Sequence, residues 1–364
     1  MTMNIRNSVI VLGMALGITP VCAQGVSAPF QPGITQDAVS YWLPKTQLTI
    51  VVKVQKESFK PGEFSRYAER YLRLSDVRDK ADETWTISDV QIVSNGVPDK
   101  DRLYTLVFNA SGPRPAIELT RDGILSAVNT NGTEPTLQTE KLAQDEPQKR
   151  VNPQDYMTEE ILMAGSTAKM AELTAKEIYN IRESRNAITR GQADYIPTDG
   201  ESLRFMLESL QTQEAALLTL FSGTTETHFE TFTINVTPGE AMTKQLLFRF
   251  SSKLGVLPVD NLAGEPVWID VTDRNMTQAY NASAEALKKA GSSKSKKEGA
   301  FLYYRIPGRA VVKVYNNRTV FTEQDLQIAQ FGNVEVVSAT LMGKHADTKI
   351  KFDTTTGNVL EINE

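Results

Sequence analysis

Hydrophobic and polar residues alternate along residues 48–55, where Leu48, Ile50, Val52 and Val54 occupy every second position. This period of two predicts a β-strand that buries one face. Runs rich in β-branched and aromatic residues predict further strands at 84–93, 103–108, 229–236, 245–250, 267–271, 301–306, 310–315, 334–338, 349–353 and 359–362.

Asp122-Gly123 lies between two short apolar runs, 117–119 and 124–128, and this pattern predicts a β-hairpin. A similar pattern recurs over 350–362 around Gly357, with apolar residues at the same offsets after the glycine. The echo raises the hypothesis of a duplicated β unit. The alternative is that unrelated hairpins share turn chemistry.

Two long helices are predicted in the middle of the chain. Residues 158–190 contain no proline and a single glycine, Gly165, and a second apolar stripe runs over 201–221 after a candidate N-cap, Asp199. We expect them to form an antiparallel helical hairpin whose small residues allow close approach. The first stripe consists of Ala164, Ala168, Ala171, Ala175 and Ile178. Shorter helices are predicted near 64–72 and 279–290.

These elements predict an α+β fold, with two mainly antiparallel β domains and a helical hairpin between them. The expected organisation is a signal peptide at 1–23, a flexible leader at 24–36, an N-terminal β-rich domain at 37–135, a linker at 136–154, the helical hairpin at 155–222 and a C-terminal β-rich domain at 223–364.

The first residues have the pattern of a secretory signal. Arg6 supplies a positive charge, residues 9–18 are apolar, and Val21-Cys22-Ala23 places small residues before Gln24. We therefore predict export to the periplasm or the cell surface, with cleavage after Ala23, and favour this over a lipid anchor on Cys22. No second stretch of the sequence is long and apolar enough to predict a membrane span.

The amino-acid composition limits which catalytic and metal-binding sites the chain can form. The chain has one cysteine, which leaves with the signal, and two histidines, His228 and His345, so neither thiol catalysis nor a structural zinc site is expected. The net charge of −5 argues against nucleic acid or anionic lipid as a partner. We predict no metal site and no cofactor, because no nucleotide or dinucleotide fingerprint occurs.

Catalytic motifs are nearly absent. Ser166 and Lys169 satisfy the S-x-x-K spacing of penicillin-recognising enzymes, but we place them inside the first helix, without the accompanying motifs of those enzymes. No catalytic residue is predicted. With 44 acidic residues, no particular carboxylate pair can be singled out for glycoside hydrolysis. Aromatic residues that could stack on sugars are Trp42, Trp85, Trp268, Tyr303 and Tyr304, and the favoured alternative is that they pack in the core and between strands.

Several segments together carry a resemblance that spans most of the chain. They include Tyr41-Trp42-Leu43-Pro44 and its continuation to Thr46, with 60–64, 67–72, 181–185, 197–201, 220–223, 304–310 and 330–332. In these stretches the sequence resembles a family of uncharacterised exported proteins of Bacteroidetes-type bacteria, a domain of unknown function. The resemblance implies an envelope role and brings no catalytic residues.

The leading hypothesis is therefore a non-catalytic binding or assembly component, with an envelope protein or a glycan as partner. The alternatives are a carboxylate-based hydrolase of glycans or cell wall, and a carbohydrate-binding accessory protein. The helical hairpin is also a candidate homodimer interface. Local density of Arg, Gly and Pro selects the candidate contact residues Arg182, Arg185, Asp199, Arg305 and Arg309.

Overall fold

The computed structural model describes residues 38–107, 115–132, 151–274, 301–338 and 348–363. Its strands are β1 (Ala38–Lys60), β2 (Asp82–Val107), β3 (Ile117–Leu119), β4 (Leu125–Val128), β5 (Thr224–Val236), β6 (Met242–Ser251), β7 (Gly255–Leu257), β8 (Glu265–Asp273), β9 (Phe301–Tyr315), β10 (Val320–Ser338), β11 (Lys349–Phe352) and β12 (Val359–Asn363). Its α-helices are α1 (Ala68–Leu72), α2 (Glu159–Leu162), α3 (Thr167–Thr189) and α4 (Gly200–Ser222).

The strands form three sheets, and every pairing between the named strands is antiparallel. The front sheet has the order β2-β1-β5, the back sheet β10-β9-β8-β6-β7, and the small sheet β12-β11-β4-β3. The predicted β-rich, antiparallel character is confirmed. The strands predicted separately at 84–93 and 103–108 belong to one continuous strand, β2. Those predicted at 301–306 and 310–315 likewise belong to one continuous strand, β9.

The main core lies between the front and back sheets. Alternate residues of β1 point into it, and Leu48, Ile50, Val52 and Val54 are all fully buried, as the period of two predicts. Burying an aliphatic side chain of this kind contributes about 1.5–3 kcal/mol. The back sheet supplies the facing side chains, among them Val267, Ile269, Val271, Val312 and Val314.

The small sheet joins the two hairpins that echo each other in sequence. The turn glycines Gly123 and Gly357 have φ angles of 78° and 79°, in the left-handed region that favours glycine. Each turn accepts a backbone hydrogen bond from a long strand: the N–H of Trp42 donates to the carbonyl of Gly123, and that of Arg305 to Gly357. Trp42 and Arg305 each follow a tyrosine and precede a proline by two positions. The echo is therefore also a repeat of backbone contacts.

The front sheet and the small sheet each combine strands that precede the helices in the sequence with strands that follow them. In the front sheet, β1 pairs with β2 on one side and with β5 on the other, and in the small sheet β4 pairs with β11. This differs from the expected separate N-terminal and C-terminal β domains. The reason is that hydrogen-bond pairing along a free strand edge does not depend on distance along the chain.

The helices pack on one another beside the sheets. A second core holds Ala171, Ala175 and Ile178 of α3 against Leu217 and Phe221 of α4. The single helix predicted over 158–190 is divided into α2 and α3, because Ser166 caps α3 through a hydrogen bond from the N–H of Lys169. The predicted signal peptide, leader and helix at 279–290, and most of the linker, lie outside the described residues.

Candidate functional site

The distal part of the α3–α4 pair is unusual because it lacks a core. Between residues 182 and 213, which we call the helical arm, no side chain is fully buried. Just outside this range, Ile178 and Ile181 of α3 and Leu217 of α4 are buried. The fully buried side chains that hold the two helices to the rest of the protein therefore lie outside the arm, and within the arm the partly buried Leu210 packs against them.

Two exposed aromatic residues mark the arm. Tyr195, in the connection between the helices, is 73% exposed, and Phe205, in the second turn of α4, is 75% exposed. Leaving a large aromatic side chain in water forgoes the free energy that its burial would give. These two exposed aromatic residues make the arm the candidate surface for binding another molecule.

Arg182 and Arg185, which we predicted as contact residues, hold the base of the arm together. The Nε atom of Arg182 lies 2.6 Å from Oε1 of Glu214, and NH1 of Arg185 lies 2.7 Å from Oε2. Glu214 is 7% exposed, so both arginines compensate a nearly buried carboxylate. Their guanidinium groups are engaged in joining α3 to α4.

Asp199 caps α4, as its position predicts. Its carboxylate accepts hydrogen bonds from the backbone N–H of Glu201 and Ser202, and from the Ser202 hydroxyl at 2.6 Å. These hydrogen bonds, that of the Ser202 side chain first, lower the pKa of Asp199. The residue fixes the start of α4, and its carboxylate is already engaged.

Arg305, another predicted contact residue, is buried. Its NH2 atom lies 2.5 Å from Oδ2 of Asp99, and NH1 donates to the carbonyl of Ala329. Lys45 also reaches Asp99, with its Nζ atom 2.9 Å from Oδ1. Burial lowers the pKa of Arg305, and the Asp99 charge opposes that shift. The hydrogen bond that Lys45 donates to the Asp99 carboxylate raises the pKa of Lys45. The cluster joins β1, β2 and β9 inside the protein.

Arg309 lies on the surface of β9, where its NH2 atom is 3.3 Å from Oδ2 of Asp325. The five predicted contact residues therefore do not form one surface. Sequence reasoning also missed the acidic partners Glu214 and Asp99.

The serine, lysine and histidine residues that the sequence analysis weighed and set aside have ordinary structural surroundings. Ser166 lies at the start of α3, and not inside a helix as we expected, and Lys169 pairs with Glu172 at 3.0 Å. His228 is exposed on β5, and His345 lies outside the described residues. Within those residues, no group of three or more His, Cys, Asp or Glu side chains is placed to hold a metal ion.

Trp42, Trp85 and Trp268 are all half-buried, so none of them is fully buried in the core and none is fully exposed. Trp85 packs against the main core, and Trp268 stands beside Tyr315 with ring centroids 5.8 Å apart. None of the described helices is long and apolar enough to cross a membrane.

The sequence has no match among curated proteins or among solved structures. The model of one family, described as a domain of unknown function, DUF4831, does match, and it covers residues 37–360. The match spans every strand and helix described above except the last residues of β12, and the chain therefore belongs to this DUF4831 family.

Proposed function

We propose that the protein is a non-catalytic binding or assembly component of the cell envelope, and that the helical arm binds another protein. The observation that carries this proposal is the pair Tyr195 and Phe205, both about three-quarters exposed, on a segment in which no side chain is fully buried. Aromatic residues, Met and Arg are enriched in protein interfaces, and the arm presents all of these types around Phe205, Met206 and Arg204.

The charges of the arm favour a protein partner. Residues 182–213 contain four arginines and five acidic residues, so neither sign dominates. Nucleic acid and anionic lipid surfaces select strongly basic patches, which this balance does not provide. A protein surface with mixed charges around an apolar centre matches the arm better.

The envelope location rests on the sequence of the first 23 residues. The charge at Arg6, the short apolar run and the small residues before Gln24 have the order of a cleavable signal. The mature chain would then work in the periplasm or on the cell surface. Fractionation of producing cells, with detection of the new N-terminus at Gln24, tests this part of the proposal. Recovery of the uncleaved chain from the cytoplasm would contradict it.

The non-catalytic part is supported by the carboxylates. Within the described residues, Asp99 and Glu214 are the acids that are at most 7% exposed, and each is engaged by arginine. A glycoside hydrolase needs a carboxyl group with a raised pKa as its general acid. Among the acidic residues that the structure describes, those with a clearly shifted pKa are Asp82, Glu83, Asp199 and Glu361, and in each the pKa is lowered. The hydrolase alternative gains no support from this pattern.

Site-specific photocrosslinking in cells that naturally produce the protein tests the arm. A photoreactive amino acid at position 205 should give an adduct with one defined envelope protein. The same probe at position 262, where Leu262 is 80% exposed between β7 and β8, is the matched control. Identical adducts at both positions, or none at 205, would refute docking through the arm. An adduct of twice the mass of the chain would show self-association instead, and light scattering would measure that dimer.

A further inference from the structure

The outer face of the back sheet carries an apolar row across four strands. Tyr315 of β9 is the register partner of Trp268 on β8 and of Val320 on β10, and Trp268 is in turn the partner of Leu246 on β6. The neighbours of Trp268 along β8, Val267 and Ile269, point into the core, so this row lies on the opposite face. With about 4.8 Å between strands, the row extends for roughly 14 Å.

The centre of the row is aromatic. The rings of Trp268 and Tyr315 have centroids 5.8 Å apart and an interplanar angle of 40°, and both side chains are half-buried. Val320, at one end, is 48% exposed. The row thus forms a shallow apolar floor, open at its edge and stiffened by strand pairing beneath it.

A row of charged residues runs beside this floor. Asp270 of β8 is the register partner of Lys313 on β9, which is the partner of Glu323 on β10. The Nζ atom of Lys313 lies 3.7 Å from Oε2 of Glu323 and 5.6 Å from the centroid of the Tyr315 ring. The backbone N–H of Lys244, on β6, bonds Asp270, which extends the charged row to the fourth strand.

Asp270 is held in place and keeps one acceptor available. Its Oδ1 atom accepts hydrogen bonds from the Tyr315 hydroxyl at 3.0 Å and from the Lys244 N–H at 2.7 Å. In the part of the chain that the structure describes, Oδ2 has no hydrogen-bond partner. A fixed carboxylate oxygen therefore lies beside an aromatic floor.

We infer that this face, Trp268 and Tyr315 with Asp270 and Lys313, binds a neutral oligosaccharide chain. Sugar rings present apolar C–H faces, which pack on aromatic rings, and hydroxyl groups at their edges, which bond fixed carboxylates and ammonium groups. The floor and the adjoining row supply these two functions side by side. The two acids and two lysines of the row also cancel in charge, which suits a neutral ligand better than an anionic one.

This inference is independent of the helical arm, since the face is built from β6, β8, β9 and β10 alone. A membrane or nucleic acid partner would need an excess of positive charge that the row lacks. A protein partner on the same face is the competing occupant, and the test separates it from a glycan.

The test is affinity electrophoresis in native gels that contain a neutral polysaccharide: a galactomannan, a xylan or hydroxyethyl cellulose. We expect at least one of them to retard the full chain, and Trp268→Ala to weaken that binding by about tenfold or more, equivalent to ~1.4 kcal/mol. Asp270→Asn keeps the shape of the side chain, removes its charge and should weaken binding severalfold. Phe205→Ala, an aromatic truncation on the helical arm, is the matched control and should leave retardation unchanged.

Thermal unfolding of each variant shows whether Trp268→Ala is folded, and where it is not, Asp270→Asn decides the outcome. Full retardation of a folded Trp268→Ala or of Asp270→Asn would overturn the inference. So would the absence of retardation of the unsubstituted chain in all three gels. A photocrosslink from position 315 to a protein, with no retardation by any polysaccharide, would assign the face to protein docking.

Discussion

Replacing Asp99 with asparagine should strongly destabilise the protein. The side chains of Asp99 and Arg305 are only 3% and 6% exposed, and their charged atoms lie 2.5 Å apart. Asp99→Asn keeps the size of the residue but leaves the Arg305 cation buried without its counter-charge. Lys45, which contacts the same carboxylate at 2.9 Å, would add repulsion in place of attraction.

The expected loss is about 3–5 kcal/mol of unfolding free energy, the usual cost of breaking a buried ion pair from one side. Since a domain is typically stable by about 5–15 kcal/mol, this is a large fraction of the total. Urea unfolding followed by tryptophan fluorescence measures the change, with the midpoint and the slope fitted separately.

Asp101→Asn is the matched control. Asp101 also contacts Lys45, at 3.3 Å, but its side chain is 85% exposed, so the loss should stay below about 1 kcal/mol. A double variant, Asp99→Asn with Arg305→Gln, removes both charges and should be more stable than the sum of the single losses predicts. A loss below 1 kcal/mol for Asp99→Asn, or strict additivity in the double variant, would refute the reasoning.

Three further predictions follow from the hydrogen bonds. Glu214→Gln should cost about 3 kcal/mol in urea unfolding, because Arg182 and Arg185 would lose their shared counter-charge, and Glu208→Gln on the exposed face of α4 should cost almost nothing. Ser166→Ala removes the cap of α3 and should lower the unfolding free energy by about 1 kcal/mol, whereas Ser166→Asp should retain most of it. Tyr41→Phe removes a hydroxyl that accepts from the N–H of Tyr303 at 2.7 Å and donates to its carbonyl at 3.1 Å, so we expect a loss of about 1–3 kcal/mol. Burial raises the pKa of Tyr41 above its ordinary value of 10.0, so this stabilisation is complete below pH 10 and is lost at higher pH; stability should therefore fall more steeply above pH 10 than in Tyr41→Phe. Equal alkaline profiles, or a Ser166→Ala variant as stable as the parent, would contradict the corresponding prediction.

Local features were predictable from the sequence. The alternation over residues 48–55 indicated which side of β1 is buried, and Asp122-Gly123 indicated the hairpin, because both depend on neighbouring residues only. The cap at Asp199 was predictable for the same reason. The break before α3 was not, since an alanine stripe continues across Gly165 and hides the stronger preference of Ser166 for a capping position.

Long-range features could not be read in this way. Asp99 and Arg305 are 206 positions apart, and nothing near either residue in the sequence indicates the other. The pairing of β1 with β5 and of β4 with β11 depends on which strand edges meet, which period-two patterns leave open. The same holds for Trp268 and Tyr315, which become neighbours only through the register of β8 and β9.

The repeated contact between a long strand and a turn glycine explains why Arg305 is a buried structural residue and not part of a binding surface. Its backbone N–H donates to the carbonyl of Gly357, as that of Trp42 does to the carbonyl of Gly123, so Arg305 belongs to a contact that occurs at both hairpins. Its guanidinium reaches Asp99 on β2 and so joins a strand that follows the helices in the sequence to one that precedes them. The helical arm and the outer face of the back sheet do not include Arg305 or Asp99. Substitutions at Phe205 or Asp270 should therefore change binding while the unfolding free energy stays close to that of the parent, and this separation makes loss of binding interpretable.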